Sequence, residues 1–433
     1  MMILANKYSR FLTYVINFLF ANSNISAFGQ TARELIQEDP LRAGGVYYMY
    51  TFKEHKVTPP PKGYKPFYLS HYGRHGARYL LNEVQYERSV GVLNAAHEAG
   101  VLTEEGERVW AIASEYFENT CKYRYGDLSP LGWEQHTRIA QEVYKANKAL
   151  FRKRPQIRAG ASQTPRSIVS MTAFCQSLLK IDPKLDITQA ASRYEMDEMC
   201  PHHDTNPWRP AEPEEGYFKR KDPWGTDLKA FIDNRLDYKA ICARLFSNPD
   251  FLKSYRGERG FVLDFFNLVF DMQCTPTDSS LLDVFTSDEI YALWEIDNYI
   301  YWVANAPGSS MRDFPTLQHM VEDADRAIAE GKPGVRLRFG HDTVLLFLLS
   351  AFGADGFDII PSSADGISET WFNFRSPMAA TMYLLFCRNR SGEVVFKIVV
   401  NGDEAQLPLT PVSGPWYYWD DMKALINARY PQS

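Results

Sequence analysis

Residues 64–78 read Tyr64-Lys65-Pro66-Phe67-Tyr68-Leu69-Ser70-His71-Tyr72-Gly73-Arg74-His75-Gly76-Ala77-Arg78. The first ten form a short aromatic-rich run closed by glycine, the pattern of a β-strand. The last five set two arginines around one histidine at that strand's carboxyl end. Ligands of open α/β sheets bind beyond the carboxyl ends of strands. The junction therefore argues at once for an α/β fold and for an anion pocket. Planar guanidinium forks match phosphate oxygens in pairs, and Gly76 is expected to let backbone approach the anion with no side chain in the way. Like charge around His75 disfavours its cation, so it can present a neutral ring nitrogen as a nucleophile.

Two more junctions share this form. The apolar run Val335–Phe339 ends in Gly340-His341-Asp342, which opens a helix through Leu346 and Leu349. Asp342 suits a helix N-cap and equally a general acid beside a leaving group. The strand-like piece Gln156–Ala159 runs through a polar turn, Gly160–Pro165, into a helix marked by Ile168, Met171, Cys175, Leu178 and Leu179. Arg166 falls near that helix's amino end, where the dipole favours an anion and disfavours a cation. Such a local conflict is expected where function outweighs stability.

Further out, helical periodicity covers Asn82 to Lys148, broken at Gly126–Pro130. Residues 201–225 are rich in proline and charge, with Trp208, Tyr217 and Trp224 among them, and read as a loop. From Gly225 to Gly331 the pattern is helical, in segments such as Asp264–Met272, Ser287–Ala304 and Thr316–Ala329. Strand patterns return at Ala380–Cys387 and Val394–Asn401, and a helix over Trp419–Ala428 closes the chain. Strand–helix alternation at both ends of a helical middle predicts an α/β core, residues 30–200 and 331–433, interrupted by an α-helical cap at 201–330.

On these residues the chain resembles the histidine acid phosphatase family, which includes acid phosphatases, phytases and multiple inositol polyphosphate phosphatases. Arg74-His75-Gly76-Ala77-Arg78 matches the family's Arg-His-Gly-x-Arg signature, and Gly126-Asp127-Leu128-Ser129-Pro130-Leu131-Gly132-Trp133-Glu134-Gln135-His136 is similar to its Gly-x-Leu-Thr-x-x-Gly-x-x-Gln-His segment. Arg166 falls where the family has a third phosphate-binding arginine, and His341-Asp342 is similar to its His-Asp pair. Val400-Asn401-Gly402, with Leu407-Pro408, resembles its last strand. Two departures stand out. Tyr79-Leu80 follow the signature where x-Pro is common, and His341-Asp342 stands where the inositol polyphosphate phosphatases carry His-Ala-Glu.

The resemblance implies a phosphoglycerate-mutase-like (Rossmann-like) core sheet flanked by helices, with an inserted α-helical cap. It implies a phosphomonoesterase acting on phosphate monoesters, inositol polyphosphates such as phytate among the candidates. His75 would attack phosphorus to give a phosphohistidine, and Arg74, Arg78, Arg166 and His341 would bind the phosphoryl oxygens. Asp342 would protonate the leaving group, which predicts an acidic optimum. No metal or cofactor is implied. Two other readings of the same residues are a phosphotransferase or mutase and a catalytically silent phosphate-binding protein. Export opposes the first, and the intact His75 and Asp342 oppose the second.

Composition bounds the partners. The 433 residues carry 47 Lys and Arg against 53 Asp and Glu, net charge −6, which argues against an extended nucleic-acid surface. Aromatic residues at 14% exclude wholesale disorder, and no apolar run is long enough for a spanning helix. Lys7 and Arg10 precede the apolar Phe11–Phe20 and the small-residue pattern Ala27-Phe28-Gly29, so residues 1–29 are predicted to be a signal peptide, with the mature chain exported to periplasm or medium. That segment holds two basic and no acidic residues, and its removal takes the charge to −8.

Weaker candidates complete the reading. His71 is placed either in the pocket or at a strand-end surface, and His136 is expected to be a structural hydrogen-bonding residue. Lys219-Arg220-Lys221 is the candidate contact for distal phosphates. Cys200-Pro201-His202-His203-Asp204 suggests a metal cluster, but adjacent histidines lack the usual ligand spacing. Of six cysteines, Cys200 and Cys274 are the pair expected to form a disulfide, if any does.

Overall fold

The computed structural model describes residues 30–209, 224–225, 228–305 and 313–431. The predicted signal peptide and Lys219-Arg220-Lys221 lie outside these residues. The decisive run forms strand β1, Lys65–Arg74, buried over its last eight residues, as expected of a strand with helices on both faces. The other strands are β2 (Gln156–Ala161), β3 (Asp186–Ala190), β4 (Gly334–Gly340), β5 (Thr381–Arg388), β6 (Val394–Val400), β7 (Asp403–Glu404) and β8 (Tyr417–Tyr418). They build one eight-stranded sheet in the order β3-β2-β4-β1-β5-β6-β7, with β8 also on β6. β3, β2, β4 and β1 are mutually parallel, and β5 to β8 continue the sheet antiparallel. The edge strand β3 escaped the sequence reading because Asp-Ile-Thr-Gln-Ala offers one large apolar residue and is exposed or half-buried throughout.

Strand alternation sorts the core into two layers. On β5, Tyr383, Leu385 and Cys387 join the apolar cluster of helices α1 (Pro130–Ala146) and α2 (Pro165–Ile181), through Ile139, Val143, Phe174 and Leu178. Their neighbours Met382, Leu384 and Phe386 join the opposite cluster. Among the described residues between β3 and β4 every named element is helical. It includes α3 (Gly257–Asp271), α4 (Ser287–Asn305) and α5 (Phe314–Glu330). Phe261, Trp294 and Trp302 from this region share one apolar cluster with α6 (Asp342–Phe352) and α7 (Trp419–Arg429). All six cysteines are buried and none is in a disulfide, so the Cys200–Cys274 pairing is corrected. Polar sequence neighbours had suggested exposure, yet Cys274 Sγ lies against the Tyr47 carbonyl at 3.2 Å.

Register brings the three sequence junctions level. Arg74 of β1 pairs with Gly340 of β4, and Ala161 of β2 pairs with Phe339. Past the strand ends the ladder continues, with His75 N–H donating to Gly340 O (3.0 Å) and Ser162 N–H to Phe339 O (2.9 Å).

Candidate active site

The Arg74–Arg78 loop is clamped from two helices. Gln135 Oε1 on α1 accepts Ala77 N–H at 2.9 Å, and Ser170 Oγ on α2 accepts Gly76 N–H at 3.0 Å. A Cβ on Gly76 would stand 2.6 Å from Gly132 Cα, and one on Gly132 would stand 2.3 Å from Ala77 O. Gly76 is thus required by the backbone of α1 packed on it, a different neighbour from the anion expected. The Gly126–His136 segment has its physical role here: it locks the loop against the sheet.

The loop's side chains converge on one buried point. His75 is 3% exposed, and its Nδ1 lies 2.9 Å from Gly76 O. A carbonyl only accepts, so Nδ1 carries the proton and Nε2 keeps a free lone pair. Burial first, then the charges of Arg166 and Arg74, His341 and Arg78, hold the His75 pKa well below the ordinary imidazole value. The ring is therefore neutral at moderate pH.

Three arginines surround it. Arg74 is fully buried; its Nη1 donates to the carbonyls of Val46 and Ser376, and its Nη2 stands 3.2 Å from Asp342 Oδ2. Arg78 Nη1 donates to Tyr79 O at 2.9 Å and faces Asp271 Oδ1 at 3.5 Å, with the guanidinium 5.2 Å above the Tyr47 ring. Arg166, second residue of α2, is half-buried, and burial with the charges of Arg78 and Arg74 lowers its pKa to about 10. The Nε atoms of all three are buried and hydrogen-bond to nothing among the described residues. Buried donors of this kind call for a partner, and a phosphoryl group's oxygens match them.

The fourth side of the point is β4's end. His341 occupies the cap position of α6 with extended backbone (φ −130°, ψ 161°), and Asp342 is the helix's first residue. The N-cap role considered for Asp342 is corrected: Oδ1 accepts only from Thr343 N–H, at 2.9 Å. His341 N–H donates to Tyr72 Oη (3.1 Å), and its ring lies 5.6 Å from that of His75, edge-on at 70°. Its Nε2 meets Ser162 Oγ at 3.0 Å, the first of a hydroxyl chain through Thr164 and Ser167 to Gly340 O. Since that chain ends on a carbonyl, each hydroxyl donates onward and His341 donates from Nε2. Burial opposes charge on Asp342, yet Arg74, Arg78, the Thr343 amide and Arg166 together hold its pKa below 3.8.

The structure brings together Arg74, His75, Arg78, Arg166, His341 and Asp342. His71 sits elsewhere, a core position instead of the pocket or surface one considered. It is 1% exposed, with its ring 5.4 Å from Phe174 and 5.2 Å from Phe339. His136 is also buried, edge-on to Phe339 at 5.7 Å, with neither nitrogen in a well-formed hydrogen bond. Its ring faces the backbone of Arg74.

Several neighbours of the site were missed. Asp271 on α3 faces Arg78, fully buried, and burial pushes its carboxyl up to about 7 against the pull of Arg78. Tyr301 on α4 donates to Asp342 Oδ2 at 3.4 Å. The set-aside Cys200–Asp204 segment also borders the pocket. His203 lies parallel to His341 (6.4 Å, 10°), and His202 Nδ1 is 2.6 Å from Asp313 Oδ1. Two adjacent histidines were the only signal, and the lack of metal-ligand spacing said nothing of an anion.

The mixed sheet, with a helical stretch between β3 and β4, matches the fold of solved inositol polyphosphate phosphatases and phytases. Among solved structures, the multiple inositol polyphosphate phosphatase of Bifidobacterium longum in its apo form is similar with TM-score 0.70 and 17% identity, over 88% of this chain and 97% of that one. The phytase from D. castellii is similar with TM-score 0.66 and 15% identity, over 92% and 87%. Hafnia alvei phytase in its apo form follows with TM-score 0.56 and 11% identity, over 86% and 98%. The Bifidobacterium longum enzyme has also been solved with phosphate and with inositol hexasulfate. No family model matches the chain, and no curated protein matches it. No helix among the described residues is long and apolar enough to cross a membrane.

Proposed function

We propose that this chain is a phosphomonoesterase working through a phosphohistidine at His75. One observation carries the reading: the neutral His75, its Nε2 free, lies among three arginines whose buried Nε donors lack partners among the described residues. Arg74, Arg78 and Arg166 would hold the equatorial phosphoryl oxygens and offset the charge that develops in the transition state. His341, donating to Ser162 from Nε2, would bind an oxygen through Nδ1 once the phosphate's own charge favours its protonation. As the Nε2–P bond forms, Asp342 gives a proton to the departing oxygen; it then takes one from the water that cleaves the phosphohistidine.

The fold likeness to phytases and to an enzyme solved with inositol hexasulfate favours inositol polyphosphates as substrates. Residues 201–330 would serve as a cap that selects them, with Lys219, Arg220 and Lys221 as contacts for distal phosphates. Export, guided by residues 1–29, would give such an enzyme phosphate esters outside the cell. The test is phosphate release from p-nitrophenyl phosphate and inositol hexakisphosphate between pH 3 and 8, with acid-quench trapping of labelled enzyme. Release with an acidic optimum and acid-labile label on His75 is expected. No release from either ester overturns the reading.

A further inference from the structure

Among the neighbours of the site, Asp271 has a setting that opposes its own charge. It is the last residue of α3, where the helix dipole disfavours an anion. The residue is 0% exposed, and neither carboxyl oxygen has a hydrogen-bond partner among the described residues. The donors around it are spent on other acceptors. Leu80 N–H goes to Tyr86 Oη at 3.1 Å, and the Cys274 thiol to Tyr47 O at 3.2 Å. Tyr116 Oη bonds Thr275 Oγ1 at 2.9 Å, and Arg78 Nη1 donates to Tyr79 O at 2.9 Å. What remains is the charge of the Arg78 guanidinium, whose Nη1 stands 3.5 Å from Asp271 Oδ1.

The titratable groups that face Asp271 come from each element packed on it. They are Arg78 of the loop after β1, Tyr47 of Pro40–Tyr47, Tyr86 of Glu83–Tyr86, Tyr116 of Glu104–Tyr116, Cys121 of Phe117–Cys121 and Cys274 of Met272–Cys274. Burial raises all three tyrosines and both thiols, so none is ionised near neutrality, and Arg78 is the only charged group among them. A buried carboxylate with one counter-charge and no hydrogen bond is costly. Burial accordingly pushes Asp271 up to about 7 against the pull of Arg78. Arg78 also keeps a buried Nε with no partner among the described residues. Asp271 and an incoming anion therefore draw on one guanidinium.

We propose that Asp271 is a positioning residue whose charge competes with the phosphoryl group for Arg78, so that an anion binds with uptake of a proton at Asp271. The inference rests on the phosphatase reading, in which Arg78 holds phosphoryl oxygens. With the pocket empty and the carboxyl ionised, each member of the Arg78–Asp271 pair offsets the cost of burying the other. A dianion engaging Arg78 adds negative charge beside that carboxylate, and like charge favours its neutral form. An O–H bond forms on Asp271 with a proton from solvent, and it breaks again as the product leaves and the ion pair returns. The sign follows: anion binding is strongest where Asp271 is already neutral, and it weakens as rising pH ionises the carboxyl.

The test measures binding of sulfate, a tetrahedral dianion at every pH used, to wild type and to Asp271→Asn by calorimetry at about pH 5.5 and about pH 8. At the lower pH the two should agree within about twofold, because a neutral carboxyl and an amide match in charge and shape. At the higher pH the variant should bind sulfate about fivefold or more tightly than wild type, since the competing charge is gone. Protonation of His341 on binding is common to both proteins and cancels from their ratio. A ratio that does not rise between the two pH values overturns the proposal; a purely structural Asp271 would weaken binding equally at both. Should the Asn variant fail to fold, Asp271→Ser removes the same charge, and the same rise in the ratio is required of it. A wild type that binds no sulfate and releases phosphate from neither p-nitrophenyl phosphate nor inositol hexakisphosphate overturns the phosphatase reading together with this one. An active wild type with an unchanged ratio, or with no sulfate binding at either pH, overturns this one alone.

Discussion

Two clusters of buried arginine flank the same parallel strands and are built on opposite principles. Arg336 and Arg338, both on β4, are 3% and 0% exposed. They meet three carboxylates: Glu198 at 2.7 Å from Arg336 and 3.4 Å from Arg338, Asp323 between them, and Glu195 at 3.6 Å. These carboxylates come from the loop and short helix after β3 and from α5, so this cluster ties the helical region to the sheet. Among the described residues Arg74, Arg78 and Arg166 form ion pairs only with Asp342 and Asp271, and burial pushes Asp271 toward its neutral form. Burying a charge is costly unless it is paired. The first cluster meets that cost within the fold; the second leaves cationic donors for an anion from outside.

The comparison can be broken most decisively at His75. His75→Ala should lower phosphate release about 10⁴-fold and abolish acid-quench labelling, while the melting temperature holds. Next comes the paired cluster, where Glu198→Gln should cost about 1.5 to 3 kcal/mol of stability in urea titrations, since it removes the charged acceptor of Arg336 while Asp323 and Glu195 remain. Activity per folded molecule should change little. If activity fell in step with stability, the two clusters would not be separate devices.

Arg166→Ala is expected to lower kcat about 10²–10³-fold, the usual effect of removing one oxyanion donor. Its melting temperature should hold or rise, because Arg166 sits among like charges. A fall of several degrees would show Arg166 to be structural after all. The mildest effect concerns the base beneath the site, where burial lowers both His71 and His136 to about 3. Below pH 6.5 the unfolded chain binds protons that the folded one refuses. Stability is complete above that pH and falls as pH drops toward 3, by up to about 1.4 kcal/mol per unit for each histidine. Thermal melts from pH 7 to 4 should show this slope, and His136→Asn should flatten it.

The legible parts of the site are those where motif and strand end are contiguous. Arg74-His75-Gly76-Ala77-Arg78, Arg166 and His341-Asp342 each follow within a few residues of a strand whose apolar run announces it. The missed parts lie on helices. Asp271 and Tyr301 stand in apolar stretches of α3 and α4 that read as core packing, and helical periodicity identifies a face without naming what meets it. Gly76 shows the same limit: a glycine beside arginines suggests a close anion, yet its close neighbour is Gly132.

The sequence by itself determined the chemistry available here: a histidine between arginines, an acid after a second histidine, and strands whose ends would hold them. It did so because strand, turn and helix start are local events, decided within a dozen residues. Only the tertiary structure decided which of those groups meet. The order β3-β2-β4-β1 sets three distant strand ends side by side, and the helical region adds Asp271 and Tyr301, because register, helix docking and the pairing of buried charge depend on residues hundreds of positions apart.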